Sequence, residues 1–458
     1  MKVSRLEFIR NAASTFGLGA FGVGRIFAAP PGWKPPCNPN LTLGVISDTH
    51  LRTNLKGDAP SESWPLTYLY AGLRLFRDEN IDAVIHLGDF ADMGQTRELQ
   101  FHAEAWNSVF PGNLAPDGHT VEKLFVLGNH DIVGGHYGDF GGIARRLSLD
   151  PDQRLERLII GDMAGNWERI WGEKYEPVWH KTLKGYHFFG WQWNVPEAEA
   201  ARLVKENASE LDGIRPFFLL SHVIPHKETC KDLRSFRNAV SFFGHWHASI
   251  ADWRTVLFNG FPLIQCGACA PPGGYVTSAE GIGRVPLTGK GAAGRARYCF
   301  VVRLYDDMMA ISRYEVGEGG KVGVDWVMPL GKYAPHPFSR EEMRKTIGTP
   351  QFASGARLKV KNGPDSVMLF IPRADGNSTT RAYAYDIEVT GADRARPLVM
   401  SVYATGCNLA PGHEPNGGVT TLDIPKSELP SGKTLTFAVR PLTSLGTFGK
   451  AIETEFTA

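Results

Sequence analysis

The 458-residue chain is expected to fold as a layered α/β domain followed by an all-β sandwich. Three observations carry that expectation. Through the first half, short β-branched apolar runs alternate with amphipathic helical patterns, the grammar of a sheet covered by helices. Polar, metal-ligating residues follow the ends of several of those runs. Beyond about residue 350 the helical patterns stop, and only short alternating runs separated by turn residues remain.

Taken in order, residues 30–40 read as a Pro-rich linker and 41–47 as the first strand. Residues 65–77 (PLTYLYAGLRLFR) place apolar side chains at helical spacing, 81–87 is a second strand, and 95–109 a second helix. A third strand follows at 123–127. The aromatic run 186–193 (YHFFGWQW) and the pair Phe217-Phe218 read as core strands, because large apolar side chains supply buried area. Between them 196–211, rich in Ala, Glu and Leu, is a strong helix former; strands follow at 215–220 and 239–243. Seven glycines break any period within 270–298, which reads as a long surface loop placed to act as a lid. From about 297 the alternation YCFVVRLY, then MMAISRYEV, reads as a meander that closes the first domain near 330. After a connection over 331–350, runs at 357–360, 366–371, 384–389, 398–403 and 435–439 predict a sandwich of the fibronectin or immunoglobulin type over 350–458. No internal repeat of 20 to 50 residues is visible.

Composition bounds the function. Lys plus Arg (49) nearly balance Asp plus Glu (48), which argues against a strongly basic nucleic-acid binder and against an acidic disordered chain. The longest apolar stretch, 12–29, is interrupted by Arg25 and rich in glycine, so it is a poor bilayer span. It fits an export signal better. Lys2, Arg5 and Arg10 make a basic start, an apolar middle follows, and small residues precede Pro30. The run 4–10 (SRLEFIR) resembles a twin-arginine signal with Leu6 in place of the second arginine, so both the twin-arginine and the general secretory route stay open. Export to the periplasm or outside the cell is expected, leaving a mature chain with no membrane span. Six cysteines are too few for a disulfide-stapled scaffold of this size, and Cys266-Gly-Ala-Cys269 reads as a local disulfide or two buried thiols.

The polar residues at the strand ends are the informative feature. Asp48 and His50 follow the first strand, Asp89 the second, Asn129, His130 and Asp131 the third, His222 the strand near 220, and His245 and His247 the strand at 239–243. In open α/β sheets the carboxyl ends of the strands converge on one crevice, so residues spread over some 200 positions meet in one pocket. Imidazoles, carboxylates and an amide together suit borderline divalent metals.

The ordered set DTH (48–50), GDF (88–90), GNHD (128–131), SH (221–222) and GHWH (244–247) closely resembles the calcineurin-like metallophosphoesterase family, over roughly residues 41–330. The resemblance implies a four-layer α/β/β/α domain and two metal ions, Mn, Zn or Fe. It assigns one metal to Asp48, His50, Asp89 and His247 and the other to Asp89, Asn129, His222 and His245, with Asp89 shared. It implies in-line attack on a phosphomonoester or phosphodiester by a hydroxide bridging the metals. His130 would protonate the leaving oxygen, and Asp131 would orient His130. In purple acid phosphatases the G-D element continues to an iron-ligating Tyr; here Asp92 stands at that place, which points toward the phosphodiesterase-leaning branch with two divalent metals. No ligand lies beyond His247, so the tail is expected to be dispensable for chemistry.

Other residues have plainer readings. His86, between apolar neighbours in a strand, is expected to be a core histidine. His136 is weighed as a pocket residue against a plain loop position, and His226 as a surface residue. Arg284, Arg295 and Arg297 are weighed as phosphate contacts against solvated charge. A binding protein that keeps its metals without turnover, a C-x-x-C redox protein, and an adhesion protein acting through tail aromatics Phe370, Tyr383, Tyr385 and Tyr403 are the alternatives to an enzyme.

Overall fold

The computed structural model describes residues 27–28, 34–35, 37–53, 60, 63–133, 163–211, 213–236, 238–269, 296–306, 308–317, 319–330, 347–375, 380–391, 397–429 and 434–457. Most of the expected export signal, the Gly-rich segment 270–295, His136, Arg284 and Arg295 lie outside these residues.

Strands β1 (Leu41–Ile46), β2 (Ala83–Leu87) and β3 (Glu122–Val126) are parallel neighbours, linked by helices α1 (Ser63–Asp78) and α2 (Thr96–Val109). Further along come a short helix α3 (Asn129–Val133), helix α4 (Met163–Trp171), and the hairpin β4 (Val178–Leu183) and β5 (Tyr186–Trp191). Helix α5 (Glu197–Glu206) leads to β6 (Phe217–Ser221), α6 (Lys227–Leu233) leads to β7 (Ala239–Phe243), and β8 (Val256–Phe258) and β9 (Pro262–Gln265) follow. These strands form a second sheet in the order β4-β5-β6-β7-β9-β8. The meander β10 (Tyr298–Leu304), β11 (Met308–Glu315) and β12 (Trp326–Pro329) then returns to the first sheet, with β10 antiparallel to β1. Phe27–Ala28, inside the stretch expected to be exported signal, pairs antiparallel with Trp326 and Val327 at that sheet's edge.

Side-chain alternation along the strands separates the layers. Leu41, Leu43, Val45, Ile85 and Leu87 face Phe188, Phe218, Leu220, Val240 and Phe242 in a core between the two sheets. Their neighbours Ile46 and Val84 pack instead on Leu69, Leu73, Phe76, Leu99 and Trp106 of α1 and α2. On the far side Phe189, Phe217 and Leu219 pack on Ala200, Val204 and Leu233 of α5 and α6. A period of two on strands buried on both faces thus builds a four-layer α/β/β/α domain. Two local readings change. The helix expected over 196–211 ends at Glu206 and gives way to a 3-10 turn, Ala208–Glu210. The strand Val178–Leu183 was hidden by its Lys, His and Thr residues, and it forms the half-exposed edge of the second sheet.

The tail contributes β13 (Lys359–Asn362), β14 (Ser366–Ile371), β15 (Ala384–Gly391), β16 (Leu398–Tyr403), β17 (Thr420–Pro425), β18 (Thr434–Leu442) and β19 (Ile452–Thr457). They form sheets β13-β14-β17 and β16-β15-β18-β19 over a core of Val367, Leu369, Ile387, Val389, Leu435, Phe437 and Val439. The strands β17 and β19 escape a composition reading because Thr, Asp and Glu alternate along them with fewer large apolar residues. Tyr383 and Tyr385 are buried, so they offer no adhesion surface. The sandwich docks on the first domain through buried polar contacts. Ser249 Oγ donates to Asn408 Oδ1 at 2.5 Å, the Trp253 N–H donates to Ser444 Oγ at 2.9 Å, and the Tyr298 hydroxyl donates to the Asn408 carbonyl at 3.3 Å. Leu445 enters the inter-sheet core.

All six cysteines are free, and Cys266 and Cys269 are two buried thiols whose burial pushes both above the usual thiol range. Among the described residues no helix is long and apolar enough to cross a membrane.

Candidate metal centre

Each expected ligand lies just past the carboxyl end of a parallel strand: Asp48 and His50 after β1, Asp89 after β2, Asn129 after β3, His222 after β6, and His245 and His247 after β7. Main-chain hydrogen bonds lock these turns together. Asp48 N–H donates to the Gly88 carbonyl at 2.9 Å, and His50 N–H to the Asp89 carbonyl at 3.0 Å. His245 N–H donates to both oxygens of the Asp48 carboxylate, at 3.2 and 3.0 Å, which ties the end of the second sheet to the end of the first.

Two clusters result, and one residue belongs to both. Ligating atoms of Asp48, His50, Asp89 and His247 lie within 4.8 Å of one another, as do those of Asp89, His222 and His245. His247 Nε2 is 3.0 Å from Asp48 Oδ1 and 3.1 Å from His50 Nε2. Asp89 Oδ2 stands 3.6 Å from His50 Nε2 and 3.2 Å from His222 Nε2, between the clusters. Asn129 Oδ1 is 2.9 Å from His222 Nε2 and joins the second cluster. The hydrogen-bond network assigns the tautomers. His222 Nδ1–H donates to the Leu87 carbonyl at 2.7 Å and His50 Nδ1–H to Asp92 Oδ1 at 3.2 Å, so each ring turns Nε2 toward the cluster as a ligand nitrogen.

The backbone marks the same residues. Among the described residues nine non-glycine residues have positive φ, and five of them are Asp48 (53°), His50 (44°), Asp89 (55°), His245 (67°) and His247 (50°). Left-handed backbone is uncommon outside glycine and costs roughly 1–3 kcal/mol at a non-glycine residue, so it persists where the surroundings over-determine it, typically at functional sites. The motif glycines serve close approach. A Cβ at Gly88, itself at φ 92°, would lie 2.7 Å from His222 Nδ1, and one at Gly128 would overlap the Asp89 carboxylate.

Electrostatics fit cation binding. Burial opposes ionisation of Asp48 and Asp89, yet the surrounding imidazoles outweigh it and hold both carboxyls below their ordinary range: His247, His222 and His50 for Asp48, and His222 and His50 for Asp89. Burial likewise opposes charge on His50 and His222, but the neighbouring carboxylates push both up to about 9. Protons thus sit where cations would neutralise the same carboxylates. The mixed carboxylate, imidazole and amide donor set fits two divalent transition-metal ions. When bound, such ions would activate water and offset phosphate charge.

His130 and Asp131 part company with the expectation. Asp131 is buried and uses its two oxygens to accept from Ala91 N–H and Gly128 N–H, both at 2.8 Å. It clamps the β2 and β3 turns together, and burial with Asp89 nearby pushes it up to about 7. The His130 ring is held instead by Asp92: Nδ1–H donates to the Asp92 carbonyl at 2.7 Å and lies 3.5 Å from its carboxylate. Burial is the main cause that moves His130 below its ordinary range. Asp92 therefore positions both His50 and His130, and Arg52 Nε lies 3.5 Å from its other oxygen. Only the place of Asp92 four residues into the G-D-F-A-D run hinted at this role. Glu98 was missed altogether: fully buried, it accepts from the N–H groups of Thr53, Met93 and Gln95 and steadies the loops on either side of the site.

The remaining candidates lie apart. His86 is a fully buried core residue stacked on Phe90 at 3.5 Å between ring centres. His226 is a surface residue beside Glu197. Arg297 is neither solvated nor aimed at the ligands: it is buried over the Tyr68 ring and donates to the Ala296 carbonyl.

The family model for calcineurin-like phosphoesterases matches residues 41–249, ending two residues past His247. No curated protein sequence matches the chain. Among solved structures, a dimetal phosphatase from Danio rerio aligns at 15% identity over 62% of this chain and 99% of its own, with a TM-score of 0.33. A purple acid phosphatase from yellow lupin (Lupinus luteus) seeds aligns at 11% identity over 63% and 54%, with a TM-score of 0.39. A conserved protein from Streptococcus pneumoniae, a predicted phosphoesterase, aligns at 15% identity over 63% and 97%, with a TM-score of 0.27. At these scores the family match carries the assignment. Residues 41–249 thus match the calcineurin-like phosphoesterases, and that match together with the ligand clusters supports a hydrolase acting on phosphoester bonds.

Proposed function

We propose that the protein is an exported two-metal phosphoesterase that favours phosphodiesters. The observation that supports it most is the pair of ligand clusters joined at Asp89, with the rare left-handed backbone concentrated on their residues. In this reading Asp48, His50, Asp89 and His247 hold one divalent cation, and Asp89, Asn129, His222 and His245 the other. His130, whose Nδ1–H is committed to the Asp92 carbonyl, must take up a second proton on Nε2, becoming the imidazolium, to pass it to the leaving oxygen. Asp92 holds that ring and the His50 ring in place.

The diester preference rests on charge. Asp92 adds a third carboxylate beside the two ligating ones, with its side chain about one-quarter exposed. A less positive site penalises a dianionic monoester more than a monoanionic diester. Arg52, half-exposed beside Asp92, is the cation this reading assigns to receive a substrate oxygen. Export rests on the basic, apolar and small-residue succession of 1–29.

The test compares nitrophenyl phosphate with its bis-ester under Mn, Zn and Fe. Metal-dependent hydrolysis that is faster on the bis-ester supports the reading; faster hydrolysis of the monoester refutes the diester preference, and no metal-dependent turnover of either refutes the enzyme. Sequencing the amino terminus of the secreted chain tests export, since an intact Met1 on the mature protein would exclude signal removal.

A further inference from the structure

Among the described residues one trio of ligating side chains lies outside the dinuclear site: His180 on β4, His187 on β5 and Glu210 in the 3-10 turn after α5. Their ligating atoms all lie within 4.8 Å of one another. In the β4-β5 register His180 pairs with Phe189 and Thr182 with His187, so the two histidines are diagonal neighbours on one face of the hairpin. His180 Nε2 and His187 Nδ1 face each other at 2.9 Å. Two imidazole nitrogens on one tetrahedral cation are separated by a little more than this, on the order of 3.3 Å from Zn–N bonds of about 2.0 Å, so a small widening seats an ion between them.

The trio is built rather than scattered. The His180 ring lies flat on Phe189, with centroids 4.4 Å apart and planes 4° from parallel, and this fixes its direction. The Asn207 side chain hydrogen-bonds His180 while its own amide donates to the Leu203 carbonyl at 2.8 Å. A metal-binding histidine is commonly steadied by a polar partner in this way. Glu210, exposed, supplies the carboxylate from a different element.

We propose that His180, His187 and Glu210 form a third metal site, separate from the dinuclear centre, that takes a borderline divalent cation such as Zn²⁺ and fastens the edge hairpin of the second sheet to the turn after α5. Two imidazoles and one carboxylate with water in the fourth position match the preferences of zinc. The site asks nothing of the phosphoesterase chemistry and stands or falls independently of it.

Equilibrium dialysis of the full chain against Zn²⁺ is expected to give three tight equivalents for the native protein and two for the His180→Ala/His187→Ala double variant, with bis-ester hydrolysis unchanged. Glu210→Gln, on an exposed side chain that folding does not need, is expected to weaken the third equivalent at least tenfold. In an Asp89→Ala background, which disables the dinuclear centre, an equivalent that disappears on adding the two histidine changes is expected. A Cu²⁺ titration followed by electron paramagnetic resonance is expected to show coupling to two imidazole nitrogens at this equivalent. Equal zinc stoichiometry in the native chain and the double variant, or a third equivalent indifferent to both the double variant and Glu210→Gln, would overturn the site.

Discussion

Replacing Asp92 tests how the centre is held together. Its carboxylate accepts from His50 Nδ1 at 3.2 Å, and the His50 hydrogen bond, with His50 and His130 close by, keeps it ionised below its ordinary range despite burial. Its main-chain carbonyl, which no side-chain change removes, holds His130. Partners of metal-ligating histidines typically contribute 10- to 100-fold in metal affinity or activity, or about 1.4 to 2.7 kcal/mol. A hydrogen bond to a charged group falls in the same range, roughly 1.5 to 3 kcal/mol. Asp92→Asn keeps the shape and an accepting oxygen but removes the charge, so the expected loss is near tenfold. Asp92→Ala leaves the His50 N–H unpaired and is expected near 100-fold. Competition with a chromophoric chelator measures the metal affinity directly. Because the His130 contact is to the main chain, both variants should lose metal without changing the relative rates on good and poor leaving groups. Wild-type metal affinity in Asp92→Ala would show that packing alone orients His50, and a change in leaving-group preference with metal retained would place Asp92 in proton transfer instead.

Asp89→Ala removes the carboxylate common to both clusters and is expected to leave less than one equivalent of catalytic metal per chain in metal analysis. His130→Ala is expected to keep its metals and to lose 10²- to 10⁴-fold on an alkyl phosphoester while losing far less on a nitrophenyl ester; equal losses would place His130 in the ground-state site. Metal uptake should release protons, because His50 and His222 sit near pKa 9 without metal and a ligating imidazole must be neutral. Affinity is therefore expected to rise with pH up to about 9 and then level, and calorimetry in buffers of different ionisation enthalpy near pH 7 should detect up to two protons released. A chain ending near residue 349 keeps every ligand but loses the Ser249–Asn408 and Trp253–Ser444 contacts just beyond His247. It is expected to melt at lower temperature and shed metal more readily, and equal melting and metal retention would mean that the tail is dispensable after all.

Several elements were legible because their patterns are local. The strands at 41–47 and 239–243 and the helices at 65–77 and 95–109 announce themselves through apolar period and match the observed elements to within two residues. Val178–Leu183 did not, because an edge strand exposed on one face carries polar residues and loses the apolar signal. The five motif segments were equally legible, since a ligand at a strand end needs particular residue types next to a tight turn, and Gly88 and Gly128 are dictated by close approach to His222 and Asp89.

The task of a buried carboxylate is a different matter. Asp131 follows His130 directly, and adjacency suggested that it orients that ring; the turn directs its oxygens to Ala91 N–H and Gly128 N–H, and Asp92, 38 positions earlier than His130, takes the ring instead. Arg297 looked solvated in a glycine-rich setting, and packing over Tyr68 buried it. The sequence by itself determined the layered class, the strand ends that carry ligands and the chemistry those ligands suit, because each is set by local period and residue type. Only the tertiary structure decided which carboxylate touches which imidazole, that the sandwich is fastened beside the last ligand loop, and that His180, His187 and Glu210 meet. Those contacts join residues far apart in the chain, and neither periodicity nor spacing encodes a distance between them.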